Sequence, residues 1–164
     1  MTCDEIACEA SLSARDEFQP VTTRPTRSRD EVEAQPRDQC VAGRPGLKVL
    51  IVEDEAIIAM GLELMVESLG HNVVATAGTE ADAIRLSRSK LPQVVLMDVK
   101  LGRGGNGVSA AQAIAARQTA AIVFCTAYST DPATLAAMRS VNPLSILTKP
   151  IRRADLKSIF DLVQ

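Results

Sequence analysis

The chain has very few aromatic residues: no tryptophan, one tyrosine and three phenylalanines among 164 residues. It therefore has no aromatic platform on which nucleic-acid bases could stack. Its formal net charge of −2 gives no electrostatic attraction to nucleic acid or to an anionic membrane. We expect neither nucleic acid nor membrane among its partners.

Zinc-binding and disulfide patterns are also missing. His71 is the only histidine, and the four cysteines, Cys3, Cys8, Cys40 and Cys125, form no CxxC pair. Such spacing supports neither a zinc site nor a disulfide framework. Cys125 lies inside an apolar run, so we expect it to be a small core residue.

The N-terminal part of the chain has no long apolar stretch. Residues 1–30 contain neither a signal peptide nor a membrane span, which predicts a cytoplasmic protein. Residues 1–46 hold four of the eight prolines, nine acidic residues and six arginines, with few large apolar side chains. Because such a segment cannot bury enough surface to offset its ordering entropy, we predict a disordered tail at 1–46 and one folded domain at 47–164.

The pattern after Gly46 alternates short apolar runs with stretches of helical spacing. Several runs are rich in valine and isoleucine, as buried parallel strands are. This alternation predicts a parallel α/β sheet covered by helices on both faces. The predicted strands are 47–52, 72–77, 93–97, 120–125 and 144–147, and the predicted helices are about 56–69, 80–90, 107–117, 131–140 and 152–163.

The first predicted helix has a clear helical periodicity. Ile57, Met60, Leu64 and Leu69 fall along one side, which we take as its apolar face. Gly70 follows the helix and fits the position after its C-cap.

Polar residues follow four of the predicted strands. Glu53 and Asp54 follow the first, Asp98 the third, Thr126 the fourth and Lys149 the fifth. The carboxyl ends of strands in a parallel sheet meet in one crevice, and doubly wound topology makes the first and third strands neighbours. The five side chains should therefore lie close together.

Three carboxylates in one crevice repel one another unless a cation neutralises them, and Mg²⁺ prefers oxygen ligands and pairs with phosphate. With Asp98 as nucleophile and Thr126 and Lys149 neutralising the equatorial oxygens, the set suits phosphoryl transfer. Taken singly, each residue has a structural alternative. Glu53 and Asp54 could cap the first helix, and Asp98 could be a turn residue or the N-cap of the segment that follows it. Thr126 could be a plain strand residue and Lys149 a solvated strand end. Their occurrence together at the strand ends favours the chemical interpretation.

The segments KVLIVEDE, VVLMDVKL, IVFCTAYS and ILTKP resemble the receiver domain of two-component response regulators over residues 47–164. This resemblance implies a (βα)5 flavodoxin-like fold with strand order 2-1-3-4-5. It implies Asp98 as phosphoacceptor, Glu53 and Asp54 as metal-binding acids, and the Lys100 carbonyl as a further Mg²⁺ ligand. It also implies a cis peptide bond before Pro150. The phosphoryl donor would be a phosphohistidine on a histidine kinase or phosphotransfer protein, and the only catalysis would be self-phosphorylation and dephosphorylation.

The sequence departs from the common receiver pattern in two places. Ile146 stands where many receivers have a switch tyrosine or phenylalanine, so we expect signalling by another route, with Thr126 moving together with Tyr128. The loop 101–107 has glycine where many receivers have proline, and is one residue longer. These departures leave open a pseudo-receiver that binds without phosphorylation.

The chain ends at the fifth predicted helix without a predicted output domain, which is typical of stand-alone receivers. We therefore expect output by protein contact through the fourth helix, fifth strand and fifth helix. The downstream target and the existence of a homodimer stay open.

Overall fold

The computed structural model describes residues 45–127 and 131–164. The predicted disordered tail lies almost wholly outside these residues, and so does Tyr128. The described part contains five long strands, β1 to β5, and five α-helices, α1 to α5, close to the predicted bounds. The strands are Lys48–Val52, Asn72–Ala77, Val94–Asp98, Ala121–Thr126 and Ser145–Thr148; the helices are Ala56–Ser68, Glu80–Lys90, Gly107–Ala115, Pro132–Ser140 and Arg153–Val163.

The five long strands form one parallel sheet in the order β2-β1-β3-β4-β5. The predicted flavodoxin-like arrangement is thereby confirmed. Apolar side chains project from both faces of the sheet, because successive strand residues point to opposite sides. Leu50 and Val95 belong to one buried cluster, while Ile51 and Leu96 belong to the cluster on the other face. Cys125 is buried in the second cluster, as predicted.

The predicted apolar face of α1 is wrong for three of its four residues. Ile57, Met60 and Leu64 are 86%, 62% and 67% exposed. The face that packs on the sheet instead carries Ala59, Leu62 and Val66, at the same helical spacing. Because α1 is apolar around most of its circumference, periodicity fits two stripes equally well and cannot choose between them.

A small antiparallel hairpin follows β3, where the sequence indicated only a long loop. Residues Lys100–Leu101 pair with Gly105–Asn106, and the 3₁₀ turn Gly102–Gly104 joins them. We call residues 100–106 the cover hairpin. It leads directly into α3, whose first residue, Gly107, lies so close to the Asp98 carbonyl oxygen that any Cβ atom there would overlap it.

Two further features concern the backbone after β5 and the character of the helices. The Lys149–Pro150 peptide bond is cis, as the resemblance implied. Among the described residues, no helix combines the length and apolar character required to cross a bilayer.

Candidate functional site

At the carboxyl ends of β1, β3 and β5, one ammonium group contacts two carboxylates. The Lys149 ammonium lies 2.7 Å from Oε2 of Glu53 and 2.7 Å from Oδ2 of Asp98. Lys149 is 96 positions from Glu53 and 51 positions from Asp98 in the sequence, so the sheet topology brings them together. The predicted convergence of these side chains is confirmed.

The contact among Glu53, Asp98 and Lys149 is largely removed from solvent. Glu53 is 3% exposed and Asp98 is 8% exposed. Burial raises the pKa of Glu53, and the nearby Asp98 charge raises it further, against the lowering effect of the Lys149 hydrogen bond. Burial alone would lower the pKa of Lys149, but hydrogen bonds and charge from both carboxylates outweigh it, so the lysine pKa is raised. The ammonium therefore stays charged because two carboxylates share it.

Asp54 is the third acid of the site and is exposed to solvent. One carboxylate oxygen from each of Glu53, Asp54 and Asp98 lies within 4.8 Å of the others. Carboxylate oxygens this close together could serve as ligands of one Mg²⁺ ion, which prefers oxygen donors. Three carboxylates against one ammonium also leave a formal charge of −2, which a divalent cation would balance. The donor set therefore fits Mg²⁺.

A cleft of about 690 Å³ opens beside Asp54, Asp98 and Lys149. Thr126 and Lys100 both line it, together with most of the cover hairpin. The Thr126 hydroxyl donates to the Ala127 carbonyl at 3.3 Å, and the Lys100 amide donates to Oδ1 of Asp98 at 3.2 Å. All five residues chosen from the sequence, Glu53, Asp54, Asp98, Thr126 and Lys149, thus border one site, and Lys100 joins them.

Cys125 lies beside Asp98 across the β3–β4 ladder but takes no part in the polar cluster. Burial raises the pKa of its thiol to about 12. A thiol with such a high pKa is a poor nucleophile at neutral pH. The predicted role as a core residue therefore agrees with its environment.

The helix-capping alternative for the first acids finds little support. No side chain caps α1 at Glu55. The nearest contact is the Glu55 amide, which donates to Oε1 of Glu53 at the long distance of 3.4 Å. Glu53 directs its other oxygen to Lys149 instead, so its main contact is with the site.

Two parts of the surroundings were missed by sequence reasoning. The cover hairpin carries glycines that predict a loop, and its two-residue strands are too short to leave a periodic pattern. Glu80, the first residue of α2, accepts a hydrogen bond from the Asn106 amide at 3.3 Å. An acid in the first turn of a helix is common for reasons of the helix dipole, so nothing in the sequence singled it out.

Comparison with known proteins gives one consistent result. Residues 49–161 match the response regulator receiver domain. The chain is similar to the phyllosphere-induced regulator PhyR of Methylorubrum extorquens, with 30% identity over 94% of this chain and 56% of that protein. It is also similar to the transcriptional regulatory protein PdtaR of Mycobacterium tuberculosis, with 37% identity over 70% of this chain and 55% of the other.

Solved structures agree with these relatives. The receiver domain of the Erythrobacter litoralis PhyR response regulator, determined by NMR, superimposes with a TM-score of 0.63 and 32% identity. The match covers 72% of this chain and 89% of that domain. The chain spans about half the length of the curated relatives it matches.

Proposed function

The chain belongs to the response regulator receiver domain family, and on that premise we propose that it is an Mg²⁺-dependent phosphoacceptor in a two-component phosphorelay. Asp98 takes a phosphoryl group from a phosphohistidine on a histidine kinase or phosphotransfer protein. The observation that carries the proposal is the Lys149 ammonium shared between Glu53 and Asp98 beside the exposed Asp54. We take residues 47–164 as the receiver and the cytoplasm as its location.

Asp98 supplies the nucleophile. One of its carboxylate oxygens forms a bond to phosphorus while the nitrogen–phosphorus bond of the donor breaks. The electron pair of that bond stays on the imidazole nitrogen, which leaves as a neutral ring once protonated. The product is an aspartyl phosphate on Asp98.

Lys149 and Thr126 stabilise the negative charge on the transferred phosphoryl group. Lys149 already contacts Oδ2 of Asp98, so its ammonium is held where a phosphoryl group on Asp98 would need a counter-charge. The Thr126 hydroxyl borders the same cleft and is a hydrogen-bond donor for a phosphoryl oxygen.

Glu53, Asp54, Asp98 and the Lys100 carbonyl would hold the metal ion. When bound, Mg²⁺ supplies positive charge for the phosphoryl oxygens and for the acids themselves. The exposed position of Asp54 leaves that side of the site open to solvent, which suits an ion that keeps several water ligands.

The exposed stripe on α1 suits the docking of the donor protein. Ile57, Met60 and Leu64 lie at i, i+3 and i+7, opposite the buried face of the helix. Ile57 is only three residues from Asp54, so a partner helix lying on the stripe would reach the acids. Such a row of apolar side chains is typical of a surface that receives another helix.

Output is proposed to occur by protein contact through α4, β5 and α5. No single downstream protein is indicated by these elements. A homodimer through the same face is one form that this contact could take.

The acceptor role is tested by intact mass after incubation with Mg²⁺ and acetyl phosphate. Wild type should gain one phosphoryl group, while Asp98→Asn and wild type in excess chelator should gain none. The control is Asp161→Asn. Asp161 lies on α5, far from Asp98 in the sequence, and pairs with Lys157, so this variant should react like wild type. If folded wild type gains no phosphoryl group from acetyl phosphate or from a phosphohistidine protein, the chain is a pseudo-receiver.

The docking stripe is tested separately with Leu64→Gln. Leu64 is 67% exposed, so the substitution should leave the fold intact. Transfer from a phosphohistidine protein should slow about tenfold, because apolar contact area with the donor is lost. Phosphorylation by acetyl phosphate, which does not use the stripe, serves as the internal control. Equal slowing with both donors would contradict a docking role.

A further inference from the structure

The cover hairpin contacts both halves of the acidic site. At its start, the Lys100 amide donates to Oδ1 of Asp98 at 3.2 Å. In its turn, Gly102 lies against Asp54, so close that an added Cβ atom would stand 3.0 Å from Oδ2. The position of the hairpin therefore helps to set the spacing between the Asp54 and Asp98 carboxylates.

The far strand of the hairpin is attached to α2. The Asn106 amide donates to Oε2 of Glu80 at 3.3 Å. The backbone of Gly105 also approaches α2, since a Cβ atom there would lie 3.8 Å from the Glu80 nitrogen. Glu80 is thus a side-chain tether between the start of α2 and the hairpin, and it lies outside the group of acids that converge on the metal site.

The hairpin is small, and besides Glu80 its far strand is held by the Asn106 side chain, which accepts a hydrogen bond from the Val108 amide at 2.8 Å and so caps α3. Its strands have two residues each, and Gly104 in its turn has a φ of +77°, a conformation that a side chain would disfavour. Leu101 is buried and serves as an apolar anchor of the hairpin. A short glycine-rich ribbon of this kind is marginal by itself and depends on contacts with its neighbours.

We propose that Glu80 is a positioning residue that holds the cover hairpin against Asp54 and Asp98, and so tunes the affinity of the site for a divalent cation. This inference rests on the proposed function, because it presupposes that the three acids bind Mg²⁺. Glu80 would act through the Asn106 amide and the hairpin, without touching the ion.

The test compares Glu80→Ala with Glu80→Gln in the full chain. Alanine removes the acceptor for the Asn106 amide, whereas glutamine keeps an amide oxygen that can accept the same bond but has no charge. Mg²⁺ is titrated by calorimetry, and the shifts of the Lys100 and Asn106 amides are followed by NMR. We expect affinity about fivefold weaker in Glu80→Ala, as for the loss of one modest hydrogen bond, and close to wild type in Glu80→Gln.

Amide exchange without metal supplies an independent measurement. Glu80→Ala should speed exchange at Lys100 and Asn106, while the amides of β1 and β3 stay at their wild-type rates. Wild-type affinity in Glu80→Ala would overturn the inference. Equal weakening in both variants would also overturn it, since charge alone would then account for the effect. If wild type itself fails to bind Mg²⁺, the proposed function fails, and the inference fails with it.

Discussion

Replacing Lys149 with methionine should destabilise the metal-free protein by about 2 kcal/mol. The substitution keeps most of the side-chain volume but leaves Glu53 and Asp98 facing each other, 3% and 8% exposed, without the ammonium between them. Breaking a fully buried ion pair costs about 3–5 kcal/mol, while an exposed pair contributes up to about 1 kcal/mol. Lys149 is 20% exposed, so an intermediate value applies.

The assay is urea unfolding at pH 7.5 in chelator, repeated with excess Mg²⁺. Lys157→Met is the matched control, because Lys157 also pairs with a carboxylate at 2.7 Å but on the exposed surface of α5. It should cost less than about 0.5 kcal/mol. Mg²⁺ should stabilise Lys149→Met more than wild type, since removing a positive charge beside three acids strengthens cation binding.

Two outcomes would refute this reasoning about Lys149. Equal destabilisation in Lys149→Met and Lys157→Met would mean that the buried carboxylates do not need the ammonium. A smaller Mg²⁺ effect in Lys149→Met than in wild type would mean that the lysine helps to bind the cation instead of competing with it.

Two further predictions concern stability away from the site. Gly61→Ala should stabilise the protein by about 0.5–1 kcal/mol in urea unfolding, because Gly61 is inside α1 and a Cβ atom there meets nothing within 4 Å; no gain would contradict the helix-propensity argument. Burial lowers the pKa of His71, so the unfolded chain binds the proton more readily. Stability should therefore be full above about pH 6.5 and fall below it. His71→Asn keeps an acceptor for the Leu47 amide and should lose this pH dependence. Parallel plots of unfolding free energy against pH for wild type and variant would contradict the role of His71.

The convergence of the site residues could be predicted because it depends on topology alone. Once the strands are recognised as parallel, their carboxyl ends must meet, so Asp54, Asp98 and Lys149 are brought together whatever the details of packing. The same logic cannot supply the distances, which depend on side-chain rotamers. It could not show that Lys149 contacts Glu53 as well as Asp98.

The orientation of α1 could not be predicted, for a physical reason. A helix with one apolar stripe has one way to pack, but α1 carries Ala59, Leu62 and Val66 on one side and Ile57, Met60 and Leu64 on the other. The first of these stripes is buried and the second is exposed, a choice that the helix pattern alone does not contain. An apolar helix with a stripe left over is itself a sign of a partner.

The cover hairpin and its tether escaped prediction because their contacts are made by backbone atoms. Asn106 meets Glu80 through its amide, and Gly102 meets Asp54 through the lack of a side chain. Side-chain patterns carry no information about either contact.

Ile146 limits how a change at Asp98 can reach the last strand. It pairs with Phe124 in the β4–β5 ladder and packs against the buried cluster that contains Phe124. A β-branched side chain has restricted rotamers and offers no ring that could swing inward. Among the described residues, two connections are made by Lys149: its ammonium contacts Asp98, and its amide donates to the Thr126 carbonyl at 2.8 Å. A shift of Lys149 towards a phosphoryl group would therefore act on the ends of β4 and β5 together.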